Sequence, residues 1–288
     1  MTTRSAGLGI LAMVITAFLW SIAGLFIKVI DWHPLTIAGF RSLIASFVVL
    51  LYVKRPHIHL SFPQVAATVC NAATMMLFVA ANKTTTSANA IILQYVAPVC
   101  TAFIGAWLLK EKTRLEHWIA IVLVTAGVVV MFMDKLGGGQ TLGNILALLS
   151  GIAFSFYFVF MRMQKNESPI ESILLSHWLV AAIGLTATLF VPAPRFTLKA
   201  VGAIAVLGIF QIGVAAILFA AAIKRISAIS ANLIAGIEPV FNPLWVFLAL
   251  GETPGTKALI GGAVIIVAVT GVSISSARRA ALPPSRPI

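Results

Sequence analysis

One acidic residue of this sequence lies deep inside an apolar stretch. Glu238 is ten residues from the start and twelve from the end of stretch 228–250, roughly 15–18 Å from either end of a helix. An ionised carboxylate at that depth of a membrane costs about 3 kcal/mol or more unless it is paired, solvated or protonated. We therefore interpret Glu238 as a group that binds a ligand ammonium or carries a proton. The alternative is a structural carboxylate that bonds a neighbouring helix or lines a wet vestibule.

Two prolines stand in the middle of apolar stretches, Pro98 in one and Pro239 in the other. Proline lacks an N–H and displaces the carbonyl four residues earlier, so we predict helix breaks with free carbonyls at Gln94 and Ala235. Freed backbone groups in lipid must find partners, and broken helices often line ligand sites in membranes. A plain kink that improves packing is the alternative.

Polar and aromatic side chains share helix faces with these positions. Glu238, Asn242 and Trp245 follow each other at i, i+4 and i+7, which places them on one face. Further candidate binding residues on other stretches are amides and aromatics, namely Trp20, Asn71, Phe78, Gln94, Tyr95 and Tyr157. This mixture suits a small amphipathic ligand whose carboxylate accepts hydrogen bonds from the amides and whose side chain is covered by the rings. Taken singly, each aromatic residue can also be explained as lipid-facing or packed bulk.

Arg41 and His177 lie about a third of the way into their stretches. Arg41 could bind a carboxylate or could snorkel toward the outer surface. His177 could carry protons or make an interhelical hydrogen bond. His57 and His59 form an isolated His-x-His that we interpret as a solvated loop, so we expect no metal and no cofactor.

The elements that must position these residues are membrane helices. Of 288 residues, 60% are hydrophobic and only 10% are charged, against about 25% charged in soluble domains. Ten stretches are long enough to cross a bilayer, which predicts an all-α membrane protein with ten transmembrane helices. They are numbered here as spans 1–10: 8–29, 34–53, 62–81, 86–109, 115–133, 141–161, 170–191, 200–222, 228–250 and 256–276.

The basic residues fall between the spans, and this predicts the orientation. With the N-terminus inside, thirteen Lys and Arg lie on the inner side and six on the outer side, with Arg41 within span 2. By the positive-inside rule both termini are cytoplasmic. The net charge of +12 could suggest a nucleic-acid partner, but the Lys and Arg lie between apolar stretches and not on one face of a folded domain, so we expect no nucleic-acid partner.

An internal repeat divides the chain. The segment Leu77–Lys83 recurs as Leu218–Lys224 with an offset of 141 residues, and Pro98 and Glu111 recur as Pro239 and Glu252 at the same offset. Trp20-Ser21 matches Phe154-Ser155 with an offset of 134. We predict one repeat at 1–134, a second at 135–276, and a disordered cytoplasmic tail at 277–288. Because each repeat has five spans, the second enters the membrane from the opposite side, and two inverted halves can expose one site to each side in turn.

With these features the chain resembles the drug/metabolite transporter superfamily in its ten-span EamA-type form. The resemblance covers residues 8–276. It is carried by Trp20, Lys28, Arg41, Ala81-x-Lys83, Pro98, Glu111, Glu238-Pro239-Val240 and Leu250-Gly251-Glu252. Arg41 has no second copy, because the equivalent region reads Ser176-His177-Trp178. Within the superfamily, length and general pattern resemble YddG-type amino-acid exporters.

The resemblance implies export of small metabolites, often amino acids, without ATP. We expect a multi-pass protein of the cytoplasmic (inner) membrane that moves a small-molecule substrate, and the favoured substrate is an amino acid with an apolar or aromatic side chain. Export of cationic drugs or of sugar phosphates is the alternative, although only Arg41 approaches the cations that a phosphate needs. An enzyme is not expected, because no Gly-x-Ser-x-Gly, His-Glu-x-x-His or inward Asp pair occurs. The sequence is compatible with a monomer and leaves the oligomeric state open.

Overall fold

The computed structural model describes residues 3–133, 141–241, 245, 248 and 255–280, and these residues form helices without any strand. The helices are α1 Thr3–Trp20, α2 Ala23–Val29, α3 Pro34–Val53, α4 Phe62–Thr84, α5 Ser87–Gln94, α6 Ala97–Leu108, α7 Leu115–Phe132, α8 Thr141–Met163, α9 Ile170–Ala187, α10 Leu198–Val206, a π-helix Leu207–Val214, α11 Ala215–Ile223, α12 Ala228–Ala235 and α13 Thr256–Ala280.

Each predicted span corresponds to helical structure in this model. Eight helical segments of the described residues are long and apolar enough to cross a membrane, and two shorter apolar helices, Leu115–Met131 and Ala228–Phe241, occupy spans 5 and 9. Span 1 consists of α1 and α2, span 4 of α5 and α6, and span 8 of α10, the π-helix and α11. The prediction of an all-α, ten-span membrane protein is confirmed.

The packing of the spans follows the inverted repeat. Span 2 packs against span 7, span 4 against span 9, and span 5 against span 10, so each of these pairs joins counterparts from the two halves. Span 3 packs against span 6 in the same way that span 8 packs against span 1. Exchange of the two halves therefore maps these five contacts onto one another, as a pseudo-two-fold axis in the membrane plane requires.

Paired glycines allow two of these counterpart pairs to approach closely. A methyl group at Gly39 would lie 2.9 Å from the backbone carbon of Gly184 in span 7, and one at Gly127 would lie 2.9 Å from the carbonyl of Gly261 in span 10. Small residues at such crossings are the usual means of close helix packing in membranes, where no hydrophobic effect drives association. The glycines therefore fix how the two halves are joined.

Two interruptions of the helices occur where the sequence contains no proline. Span 1 breaks at Ser21 and Ile22, and span 8 contains the eight-residue π-helix. At the chain end, α13 continues to Ala280, so the first four residues of the predicted tail are helical. The join between the halves, 134–140, and the rest of the tail, 281–288, lie outside the described residues, and the bounds of the two repeats remain a prediction.

Candidate functional site

A cavity lies between the two halves and is lined by spans 1–4 and 6–9. The volume of the cavity is about 80 Å³, counted as the space that the centre of a water molecule can occupy. Seven of the predicted binding residues line it: Trp20, Asn71, Phe78, Gln94, Tyr157, His177 and Glu238. The structure therefore brings together residues from both repeats that are up to 218 positions apart in the sequence.

The other predicted residues are placed differently. Tyr95 and Pro98 line a smaller adjoining pocket together with Glu238. Trp245 is not among the lining residues of either pocket; its indole N–H donates to the hydroxyl of Ser21, 2.7 Å away, and its ring packs against Phe18. Asn242 lies outside the described residues.

Spans 4 and 9, which carry Pro98 and Pro239 near their middle, both break shortly before that proline. In span 4 the chain leaves the helix at Tyr95 and resumes it at Ala97, which puts Pro98 in the first turn of the new helix. In span 9, α12 ends at Ala235 and helical structure resumes at Glu238, beside the buried Pro239. Proline suits a first turn because its missing N–H has no intrahelical partner there.

The two breaks face each other across the halves, and this corrects one expectation. The hydroxyl of Tyr95 donates to the carbonyl of Ala235 over 3.3 Å, so this carbonyl already has a partner from the other half of the molecule. The carbonyl of Gln94 instead packs against Gly151, where a methyl group would lie only 2.6 Å from it. Asn232 of α12 also donates to the hydroxyl of Thr101 in α6, over 2.7 Å.

Glu238 stands at the second break and faces both cavities. Its side chain is half-buried, and it forms no hydrogen bond or ion pair with any residue that the structure describes. A carboxylate held among apolar helices without a protein partner is available to a ligand cation or to a proton.

The amides that the sequence suggested as carboxylate donors are already engaged. Asn71 donates to the hydroxyl of Ser176 over 2.6 Å. Gln94 donates to the hydroxyl of Ser150 over 2.9 Å, and that hydroxyl donates in turn to the carbonyl of Thr74 over 3.2 Å. These residues therefore connect spans 3, 4, 6 and 7 while they line the cavity, and each amide nitrogen retains one further N–H.

Aromatic rings form one wall of the cavity. Trp20 packs against Phe154 and Phe219 with ring centroids 5.5 and 5.6 Å apart, and Tyr157 packs against Phe219 at 5.3 Å. Trp20 and Phe154 are counterparts in the repeat, as are Phe78 and Phe219. The wall therefore lies on the pseudo-two-fold axis, where counterpart residues meet.

Arg41 also lines the cavity, which excludes the snorkelling alternative. Only 2% of the residue is exposed, and its two terminal nitrogens donate to the side-chain oxygen of Gln211 over 3.2 Å and to the carbonyl of Met75 over 3.4 Å. His177, from the equivalent region of span 7, is equally buried and lines the same cavity. The sequence did not single out Gln211 or Phe219 as binding residues, although Phe219 could have been found as the repeat counterpart of Phe78.

Comparison with known proteins agrees with this architecture. The EamA-like transporter family model matches residues 7–133 and 141–274, one copy in each half. The chain belongs to the EamA-like transporter family. An Archaeoglobus fulgidus protein named as an uncharacterized transporter is 26% identical over 259 residues, covering 90% of this chain and 93% of that relative.

Two further matches extend over almost the whole chain. The transporter YwfM of Bacillus subtilis, also named as uncharacterized, is 26% identical over 274 residues, covering 91% of this chain and 93% of that protein. A solved crystal structure superimposes with a TM-score of 0.83 and 19% identity, covering 97% of this chain and 99% of that one, which supports the fold. The chain is thus a multi-pass membrane protein of a transporter family.

Proposed function

We propose that this EamA-family protein exports amino acids with apolar or aromatic side chains across the cytoplasmic membrane by alternating access. The observation that supports the proposal is the cavity between the halves, which combines a wall of aromatic rings with the carboxylate of Glu238, a group without a partner among the described residues. Export as the direction, and amino acids as the class, rest also on the resemblance to YddG-type exporters.

Glu238 would take the ammonium of the amino acid. A charge-assisted hydrogen bond between an ammonium and a carboxylate is about twice as strong as a neutral one, and it gains further where water is scarce. Because Tyr95 occupies the carbonyl of Ala235, the carboxylate itself is the acceptor that the break in span 9 offers to a ligand.

The aromatic wall would cover the side chain of the substrate. Trp20, Phe154, Tyr157 and Phe219 present ring faces and edges within one cavity, and aromatic rings pack favourably against apolar and aromatic groups. A charged substrate side chain would strand its charge against these rings. The site therefore favours amino acids such as phenylalanine over lysine or aspartate.

Alternating access follows from the position of the cavity on the pseudo-two-fold axis. The cavity draws equivalent residues from both repeats, such as Trp20 with Phe154 and Phe78 with Phe219. If the halves exchange their conformations, the same residues face the other side of the membrane. One site then serves both states without a second set of ligand contacts.

Cationic drugs are the second candidate, because a carboxylate and aromatic rings together also bind organic cations. Arg41 in the same cavity opposes a ligand that carries only positive charge. Sugar phosphates are less well matched, because Glu238 repels them.

Uptake into proteoliposomes, with and without a pH gradient, tests the proposal. We expect Glu238→Gln to keep the fold and to weaken phenylalanine transport at least tenfold, or by about 1.4 kcal/mol of transition-state stabilisation. The matched control is Glu167→Gln, since Glu167 is exposed in a loop. If Glu238 carries the proton instead, the variant loses pH-driven transport but still exchanges substrate. Wild-type transport by a well-folded Glu238→Gln protein would contradict a role in either step.

A further inference from the structure

The charge of Arg41 is unusual for its depth in the protein. Only 2% of the residue is exposed, and no carboxylate of the described residues pairs with it. Its two hydrogen bonds go to neutral oxygens, those of Gln211 and Met75, and its Nε has no partner in the part of the chain that the structure describes. A buried cation held only by neutral acceptors is expensive in a membrane protein unless a ligand supplies the opposite charge.

His177 adds a second unsatisfied group to the same part of the cavity. It is 2% exposed, and neither ring nitrogen has a hydrogen-bond partner among the described residues. Arg41 and His177 line the same cavity. A neutral imidazole always has one N–H donor and one acceptor, so the donor can complete the coordination of an anion that Arg41 holds.

The π-helix of span 8 explains how Arg41 is held in place. Gln211 lies within Leu207–Val214, and its side-chain oxygen accepts from Arg41. Gly208 lets this segment approach span 2, since a methyl group there would lie 2.6 Å from the Cβ of Ile44 and 3.0 Å from the carbonyl of Arg41. Such π-helical segments are rare and occur frequently at functional sites. Gln211 is therefore a positioning residue for the guanidinium.

From these observations we propose that Arg41 and His177, with Gln211 as support, form a carboxylate-binding subsite of the cavity. The proposal rests on the proposed function, because it assigns the carboxylate of the same amino acid whose ammonium meets Glu238. The planar guanidinium matches a carboxylate with two parallel hydrogen bonds.

Charge balance favours a zwitterion over the other ligand classes. The cavity lining contains one guanidinium, from Arg41, and one carboxylate, from Glu238. An amino acid brings one charge of each sign and neutralises both. An organic cation would leave Arg41 without a partner, and a phosphate dianion would bring two negative charges to one guanidinium and repel Glu238. The subsite thus makes the carboxylate a requirement for transport.

A set of three ligands tests the requirement on the wild-type protein. Phenylalanine, phenylalaninamide and phenethylamine share the ring and the amine but differ at the carboxylate. Each competes with labelled phenylalanine in proteoliposomes. We expect at least tenfold weaker competition by the amide and by the amine than by phenylalanine. Equal competition by all three overturns the subsite even if every variant of Arg41 fails to fold. If no amino acid is transported at all, the proposed function itself fails.

The variants Arg41→Gln and Arg41→Lys test whether Arg41 is the residue that makes the carboxylate necessary for binding. The fold of each variant is judged by its elution profile and thermal stability. In folded protein, Arg41→Gln should lower the apparent affinity for phenylalanine at least tenfold and that for phenethylamine less than twofold. The preference of the transporter for phenylalanine over phenethylamine should therefore disappear. Arg41→Lys keeps the charge without the planar fork and should give an intermediate preference. Gln211→Leu should also reduce the preference for phenylalanine, but by less than Arg41→Gln does. Arg55→Gln, in an exposed loop, should preserve the wild-type preference. An unchanged preference in folded Arg41→Gln refutes the assignment.

Discussion

Replacing Gly184 with alanine should loosen the contact between spans 2 and 7. A methyl group at this position would lie 2.5 Å from the carbonyl of Leu35 and 2.6 Å from the Cα of Gly39. Optimal contacts between such atoms are about 3.5–4.0 Å, so the two helices must separate by roughly 1 Å. No side-chain rotation can relieve this contact, because the nearest atoms are all backbone.

The expected cost is about 1–3 kcal/mol, which is typical of overpacking in a well-packed core. The separation also strains the nearby contact between the hydroxyls of Thr36 and Thr188, which are 3.2 Å apart. Because Arg41 lies only two residues beyond Gly39, we expect phenylalanine transport to fall as well. The measurement is the thermal unfolding of purified protein in detergent, followed by transport in proteoliposomes.

Gly202→Ala is the matched control. Gly202 is an exposed helical glycine of span 8, and a methyl group there has nothing within 4 Å. Alanine is also the better helix former by about 1 kcal/mol, so this variant should be at least as stable as the wild type. Equal stability of Gly184→Ala and Gly202→Ala would refute the close crossing of spans 2 and 7.

Three further predictions concern the ion pair of Arg162 with Glu111, the hydrogen bond of Lys83 and the orientation of the chain in the membrane. Arg162→Met should lower the stability by about 3 kcal/mol, because it breaks a 2.9 Å salt bridge with Glu111 and two hydrogen bonds to the carbonyls of Ile223 and Lys224; the exposed Lys112→Met should change the stability little, and a matching loss there would contradict this. Lys83→Gln removes a 2.6 Å bond to the carbonyl of Ile30 and should reduce folded protein but not transport per molecule; abolished transport at a normal protein level would argue against a purely structural role. Reporters fused at Lys135 and at the C-terminus should locate outside and inside respectively, and an outside C-terminus would contradict the charge-based orientation.

Local features of the sequence were sufficient to predict the helices and their main interruptions. The ten apolar stretches follow from the length that a bilayer demands, and Pro98 and Pro239 mark breaks because proline cannot complete the helical hydrogen bonds. The repeat was visible because charged and proline positions recur at a fixed offset. These signals are local or periodic, so they do not depend on knowing the packing.

The features that the sequence did not reveal depend on contacts between distant residues. The break at Ser21 involves a hydroxyl that bonds the carbonyl of Phe18 and accepts from Trp245, which is 224 positions away. The π-helix contains Gln211, whose side-chain oxygen accepts a hydrogen bond from Arg41, 170 positions away in the sequence. No proline lies in the π-helix to indicate it. A window of sequence around either position gives no information about such partners.

The same reason explains the corrections at the site. The depth of Arg41 in its span is compatible with snorkelling or with burial. The outcome depends on whether its side of the helix faces lipid or the interior of the protein, and this follows from the packing of the spans. The local pattern around Pro239 predicts a free carbonyl at Ala235, but the hydroxyl of Tyr95 from the other half of the molecule donates to it. Both outcomes were fixed by how the halves pack together.

Counterflow in proteoliposomes tests the central claim most directly. Vesicles that contain the wild-type protein are loaded with unlabelled phenylalanine and diluted into a trace of labelled phenylalanine, without a pH gradient or ATP. A carrier with the proposed site predicts a transient accumulation of label above that of protein-free vesicles. Lysine as the internal amino acid should support much less. No accumulation with any amino acid inside, together with accumulation of a poorly membrane-permeant organic cation such as tetraethylammonium when that cation is loaded, would contradict amino-acid transport by this protein.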